Sequence, residues 1–248
     1  MMKIGVISRG RTASSAVVNS LAVDNKLSNK FEIYFEMHLA LSRYYQLRPK
    51  TTKNVQFTDF QTKLYNLTKS LFDEGNFVVK IWPSMLCLPP HKIYNNQSLQ
   101  DIKNNFIFDI TGCLNIHQYD RLYFLDKDLH QSAISWIYSK KTQIFHKRKN
   151  LYIQTPKINL DSVDYDNVRF YILEYCLHQK LRQFLLDKQI PFIEISNNFE
   201  SYINTDILQI EESQNDYKNL IHEYNDLYDY ISEWYQVCIE NTQDWYFI

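Results

Sequence analysis

The chain has 248 residues, of which 27 are Lys or Arg and 28 are Asp or Glu, so its formal net charge is -1. A nearly neutral chain has no overall field that would draw it to nucleic acid or to an anionic membrane surface, so an anion site must be local. We find no signal-peptide pattern and no apolar stretch of roughly 18 residues, and we expect a cytoplasmic protein with no membrane span and no nucleic-acid partner.

The predicted elements begin with a buried strand over residues 3–8, followed by a basic, hydroxyl-rich loop and a helix over residues 14–21. Two of the chain's four glycines, Gly5 and Gly10, fall in this segment, where a tight turn or a close backbone approach would require them. The segment therefore predicts a strand, loop and helix unit.

Helices and strands then alternate along the chain. The predicted elements are helices at 59–73 and from Asp128, and strands at 77–82, 106–110 and 121–125. A long helix that includes Val168 and Leu186 should end before Pro191, and a strand is predicted over 191–196. A last helix at about 215–241 has a broad apolar stripe, for which packing into the core is favoured over contact with a partner.

This alternation predicts an α/β fold, a three-layer sandwich with a mostly parallel central sheet flanked by helices. We predict a single domain over residues 1–248, because no linker or internal repeat divides the chain. Ligands of such sheets bind at the carboxyl ends of the strands, so the first loop is the candidate site. Four widely spaced cysteines without a CxxC pair predict reduced thiols rather than a zinc ribbon or a disulfide scaffold.

The first loop has the chemistry of an anion site. Backbone N–H groups at the start of the next helix, its positive dipole end, guanidinium groups and hydroxyls would converge on one phosphate-sized group. The candidate ligands are Arg9, Gly10, Arg11, Thr12, Ala13, Ser14 and Ser15. A phosphate or sulfate donor is therefore the first hypothesis.

Two registers of this loop are open. Residues 5–12 come within one residue of the nucleotide P-loop pattern GxxxxGK[ST], with Arg11 in place of the lysine. In that register Asp126, which follows an apolar strand, would hold magnesium in a kinase that uses ATP. That register would divide the apolar strand at Gly5, whereas a loop that begins at Ser8 leaves the strand intact.

In the second register the loop resembles that of PAPS-dependent sulfotransferases, whose first strand leads into a Pro-[Arg/Lys]-Ser-Gly-[Ser/Thr]-[Ser/Thr] segment. Arg11, Thr12, Ser14 and Ser15 match that segment by type, while Gly10 and Ala13 depart from it. The resemblance implies a P-loop-like sandwich that binds the 5′-phosphosulfate of PAPS here, with no metal.

A second match lies midway along the chain, where a basic residue at a strand end is followed eight positions later by a serine. Lys127 and Ser135 occupy these places, which in the family bind the 3′-phosphate of the donor and of the product PAP. Residues 77–81, a strand with Lys80 embedded in it, also look like the second strand of the bacterial trehalose-sulfotransferase-like branch.

The resemblance implies transfer of a sulfuryl group from PAPS to a hydroxyl acceptor, which the sequence does not identify. Arg11 would stabilise charge on the leaving phosphate, and a general base would deprotonate the acceptor. By its position after the first helix, Glu32 is the chosen base, with Glu36 and His38 behind it. The alternatives are the ATP-Mg kinase and a non-catalytic nucleotide-binding or assembly module that uses its Tyr-rich last helix for a partner.

Overall fold

The computed structural model describes residues 1–9, 14–29, 57–81, 115–143, 155–196, 199–202 and 216–245. Within these residues the strands are β1 (Lys3–Ile7), β2 (Ser28–Asn29), β3 (Phe77–Ile81), β4 (Arg121–Asp126) and β5 (Ile193–Ser196). The helices are α1 (Ser14–Asp24), α2 (Phe57–Glu74), α3 (Leu129–Thr142), α4 (Ser162–Asp187), α5 (Tyr217–Leu220) and α6 (Tyr224–Asn241). The predicted strand at 106–110 lies outside the described residues.

The strands form one five-stranded sheet in the order β2-β3-β1-β4-β5, and every pair of neighbours is parallel. The predicted α/β fold with a parallel sheet between helices is therefore confirmed. The strand β2 has only two residues and was not predicted, because a stretch so short carries no periodic pattern.

Side chains of β1, β3 and β4 alternate between two apolar clusters, one on each face of the sheet. Ile4 and Val6 pack on the face that α1 covers. Ile7 and its neighbours pack against the larger cluster, to which α2, α3, α4 and α6 contribute. Strands buried on both faces have continuous apolar runs, and this explains why β1 and β3 were recognisable in the sequence.

Local signals fix several element ends. Asp128 caps α3, since its side chain accepts a hydrogen bond from the Gln131 amide. Asp161 and Asp164 form a capping box at the start of α4. Gly75 follows α2 with φ of 101°, a left-handed conformation that glycine adopts at low cost.

The predicted last helix is interrupted, and this is a correction to the sequence-based prediction. Ile221 forms a parallel bridge with Ile158, in which the Ile158 amide donates to the Leu220 oxygen and the His222 amide to the Ile158 oxygen. This long-range pairing separates α5 from α6. The apolar stripe of α6 does pack into the core, although Tyr228 is exposed.

The helices that follow β1 and β4 lie on opposite faces of the sheet, α1 on one and α3 on the other. Because β1 and β4 are neighbours, their carboxyl ends form a topological switch point, which is where ligands of open α/β sheets bind. Among the described helices, none combines the length and apolar character that a membrane span requires.

Candidate functional site

Arg9 lies at the carboxyl end of β1 and is almost completely buried, with 2% of its surface exposed. Its Nη2 donates to the Lys127 main-chain oxygen at 2.6 Å and to Asp126 Oδ1 at 3.2 Å. Its Nη1 donates to Ser132 Oγ and to the Tyr171 hydroxyl, each at 3.1 Å. One guanidinium therefore joins the ends of β1 and β4 to α3 and α4 at the switch point.

Aromatic rings of α4 complete the surroundings of this guanidinium. The Arg9 Cζ atom lies 4.4 Å from the centroid of Tyr175 and 5.6 Å from that of Tyr171. Burial, with a smaller effect of the Asp126 carboxylate, raises the pKa of Tyr175 to about 12. Tyr175 therefore stays neutral and provides an electron-rich ring for the cation.

Asp126 uses both of its carboxylate oxygens within the protein. Oδ1 accepts from Arg9 and from the Lys127 amide at 2.9 Å, and Oδ2 accepts from Gln179 Nε2 at 2.8 Å. A carboxylate held in this way anchors the β4 exit, because three protein groups donate to it.

Ser8 has a fully buried hydroxyl beside Arg9. Its main-chain amide continues the pairing of β1 with β3 by donating to the Ile81 oxygen at 2.9 Å. Its Oγ has no hydrogen-bond partner among the residues that the structure describes. Because burying an unsatisfied hydroxyl is unfavourable, this oxygen is suited to a water molecule or a ligand at the sheet edge.

Lys80 is a second buried polar residue near this edge. It pairs in register with Val6, one residue before the end of β3, and only 7% of its surface is exposed. Desolvation lowers its pKa to about 7, although the Glu174 carboxylate of α4 acts in the opposite direction. A bound anion would favour the protonated form of such an amine.

Of the two residues in the predicted 3′-phosphate segment, Lys127 lies two residues before α3, and Ser135 lies in the second turn of that helix. Lys127 is half-buried where the chain leaves β4. Its main-chain amide donates to Asp126 Oδ1, and its main-chain oxygen accepts from Arg9. Ser135 is buried, and its Oγ accepts a hydrogen bond from the Tyr217 hydroxyl at 3.1 Å. A phosphate at Ser135 would therefore also meet Tyr217.

The structure places several predicted site residues near the carboxyl ends of β1 and β4. Arg9 and Lys127 are in contact, and Ser14 and Ser15 begin the helix that leaves β1, with Ser14 buried and Ser15 half-buried. The other predicted residues lie outside the described part of the chain, and their roles stay predictions. They are Gly10, Arg11, Thr12, Ala13, Glu32, Glu36 and His38.

Four residues of this network were not singled out from the sequence. Ser8 marked only the start of the loop there, and the other three are Ser132, Tyr171 and Gln179. Tyr171 and Gln179 lie two helical turns apart on α4, a spacing that places them on one face. That face gave no signal of its own, because tyrosine and glutamine at helical spacing are ordinary in a partly buried helix.

No protein-family model matches the chain, and no curated protein matches it.

Proposed function

We propose that this protein is a sulfotransferase that transfers a sulfuryl group from PAPS to a hydroxyl acceptor and releases PAP. The observation that carries the proposal is the contact of Arg9 with Lys127, whose main-chain oxygen lies 2.6 Å from Arg9 Nη2. The residue that enters the first loop and the residue that leaves β4 are thus adjacent at the switch point. A donor with anionic groups at both ends requires two such neighbouring segments.

The chemistry of the first segment supports an anionic ligand. The start of α1, an 11-residue helix, lies after this loop, and the N-terminus of a helix favours negative charge. The buried Ser8 hydroxyl, without a partner among the described residues, provides a further donor. We assign the 5′-phosphosulfate to this segment, with Gly10, Arg11, Thr12, Ala13, Ser14 and Ser15 as its ligands.

We assign the 3′-phosphate of the donor to Lys127 and Ser135. The ammonium group of Lys127 would supply a point charge, and Ser135 would supply a hydroxyl that already accepts from Tyr217. Ordinary adenylates lack the 3′-phosphate, so this segment would make PAP bind more tightly than ADP.

Two residues would carry the chemistry. Arg11 would stabilise the charge that accumulates on the leaving phosphate, and Glu32 would accept the proton of the acceptor hydroxyl.

The cellular compartment is part of the same proposal. Cys176 and Cys238, both buried free thiols, fit a reducing compartment such as the cytoplasm.

The ATP-Mg kinase has less support from the same geometry. β1 continues to Ile7, so Gly5 lies inside the strand rather than at the mouth of a phosphate loop. Asp126, which would hold magnesium in a kinase, already accepts hydrogen bonds from Arg9 and Gln179.

Thermal stabilisation by PAP, ADP and ATP-Mg tests the proposal, because a ligand that binds only the folded state raises stability. A ligand at about 100 times its Kd contributes about 2.7 kcal/mol. We expect PAP to stabilise the protein most, and Arg11→Ala and Lys127→Ala to abolish that stabilisation, while the exposed Lys69→Ala responds as the parent does. Greater stabilisation by ATP-Mg would favour the kinase, and an unchanged response of both variants would refute the site.

Transfer itself is measured with PAPS carrying labelled sulfur and a set of sugar, lipid, small-alcohol and tyrosine acceptors. We expect Glu32→Ala to lose transfer and to keep PAP binding, since a base acts on the acceptor. Binding of PAP without transfer to any acceptor would instead identify a non-catalytic nucleotide-binding module.

A further inference from the structure

On the basis of the proposed donor site, we propose that Arg9 is a positioning residue that couples its two anion-binding segments, rather than a ligand of the donor. The main chain of Arg9 leads into the first segment, because Gly10 is the next residue. Its side chain holds the second segment, because its guanidinium donates to Lys127 and Asp126.

The hydrogen bonds around Lys127 explain how Arg9 positions this residue. The Lys127 amide donates to Asp126 Oδ1 at 2.9 Å, and the Lys127 main-chain oxygen accepts from Arg9 at 2.6 Å. Arg9 also donates to the same Asp126 oxygen. Both peptide groups that flank the Lys127 Cα are thus fixed, directly or through Asp126, by one guanidinium. The direction in which the Lys127 side chain leaves the backbone depends on Arg9.

The second terminal nitrogen of the guanidinium, Nη1, holds the Arg9 side chain in place. Nη1 donates to Ser132 of α3 and to Tyr171 of α4, and Tyr175 lies against the face of the cation. A planar fork with two pairs of donors fits four acceptors at fixed angles, whereas a lysine offers one flexible point charge. Arg9→Lys therefore keeps the positive charge and loses the planar group that bonds to four acceptors at once.

Four of the five N–H donors of the guanidinium are directed at protein oxygens. Its two terminal nitrogens make four hydrogen bonds to protein oxygens, and its surface is 2% exposed. Arg9 therefore acts through its protein contacts, and of the two arginines at this loop Arg11 stays the proposed ligand of the phosphosulfate.

The first test compares PAP with AMP, which lacks only the 3′-phosphate. AMP would use the first segment alone, whereas PAP would use both, so the ratio of their Kd values isolates the contribution of the 3′-phosphate segment, Lys127 and Ser135. We expect Arg9→Lys to weaken PAP binding at least about tenfold and AMP binding less than about threefold. Arg121→Lys is the matched control, because Arg121 is exposed at the amino end of β4, the end of the strand opposite Lys127.

A general loss of stability would weaken both ligands equally, and that result, or an unchanged ratio, would overturn the coupling role. Should Arg9→Lys fail to fold, Tyr171→Phe removes one acceptor of the guanidinium and keeps the ring. We expect this milder variant to lower the PAP preference about threefold, in the same selective manner.

Amide hydrogen exchange provides a test that needs no ligand. In Arg9→Lys we expect the Lys127 and Ser132 amides to lose protection about tenfold more than the amides of the α6 core. Unchanged relative protection would refute the role of Arg9 whatever the protein binds. A parent that does not prefer PAP to AMP would refute the proposed function, and the exchange result alone would then decide whether Arg9 positions Lys127.

Discussion

His178 donates a hydrogen bond from Nε2 to the main-chain oxygen of Leu125, at 2.9 Å, from the middle of α4 to the end of β4. The carbonyl can only accept, so the neutral ring carries its proton on Nε2. The ring is fully buried and stacks on Phe124 with 4.1 Å between the centroids. This contact holds α4 against the strand whose end forms the candidate site.

The buried histidine predicts a loss of stability in mild acid. Desolvation, helped by the charge of Arg9, lowers the pKa of His178 well below 6.5. Below about pH 6.5 the unfolded chain binds a proton here and the folded chain does not, so the free energy of unfolding falls by up to about 1.4 kcal/mol per pH unit. Urea unfolding between pH 7 and pH 5 should reveal this slope, and His178→Gln should reduce it.

The exposed His117→Gln is the control and should leave the slope unchanged. If His178→Gln and the parent lose stability equally with acidification, the ring is not neutral in the folded state.

Lys80 predicts a pH effect at the alkaline end. Its pKa is lowered to about 7 in the folded state, from 10.5. Between these values the unfolded chain binds a proton that the folded chain has lost, so the free energy of unfolding rises with pH across that window. At or below pH 7 the full cost of the buried amine is present, and Lys80→Met should stabilise the protein by about 3 kcal/mol.

The advantage of Lys80→Met should shrink between pH 7 and pH 9 in chemical denaturation. Lys69→Met, on the exposed side of α2, should have little effect at either pH. A destabilised Lys80→Met would mean that the ammonium is well compensated in the folded protein.

Removing the Ser8 hydroxyl is expected to affect the free energy of unfolding and the binding of PAP in different ways. Because Oγ is buried without a partner among the described residues, Ser8→Ala should leave the free energy of unfolding unchanged or raise it by about 1 kcal/mol. The same variant should bind PAP more weakly. Ser132→Ala is the contrasting variant, because Ser132 accepts from Arg9, and it should lose about 1–2 kcal/mol. Equal losses in the two variants would show that Ser8 has a partner in the folded protein.

Gly5 predicts a steric effect within β1. A Cβ atom at this position would lie 2.7 Å from Leu122 Cδ2 and 3.1 Å from ring carbons of Tyr119. Gly5→Ala should therefore cost about 1–3 kcal/mol, and Leu122→Ala in the same chain should recover part of it, because it removes the closest clash. Leu122→Ala should not rescue Gly75→Ala, whose cost arises from a φ of 101°. Additive losses for Gly5 and Leu122 in a double-mutant cycle would contradict the clash.

The sequence was sufficient for most of the described elements. Apolar runs predicted β1, β3 and β4, and helical spacing with a downstream Pro191 predicted α4, because these patterns arise from which side of each element faces the core. It was insufficient for β2 and for the interruption between α5 and α6. The interruption depends on Ile158, which pairs with Ile221 from a distant part of the chain.

The candidate site divides in the same way. The sequence by itself determined the residue types at the two segments, a basic loop after β1 and Lys127 after β4, because hydroxyl and basic residues at strand ends are visible without a fold. Only the tertiary structure decided that Arg9 meets Lys127, and that Tyr171 and Gln179 complete the network. The strand order brings β1 beside β4, and a guanidinium buried there must find its acceptors among whichever side chains the packing places within reach.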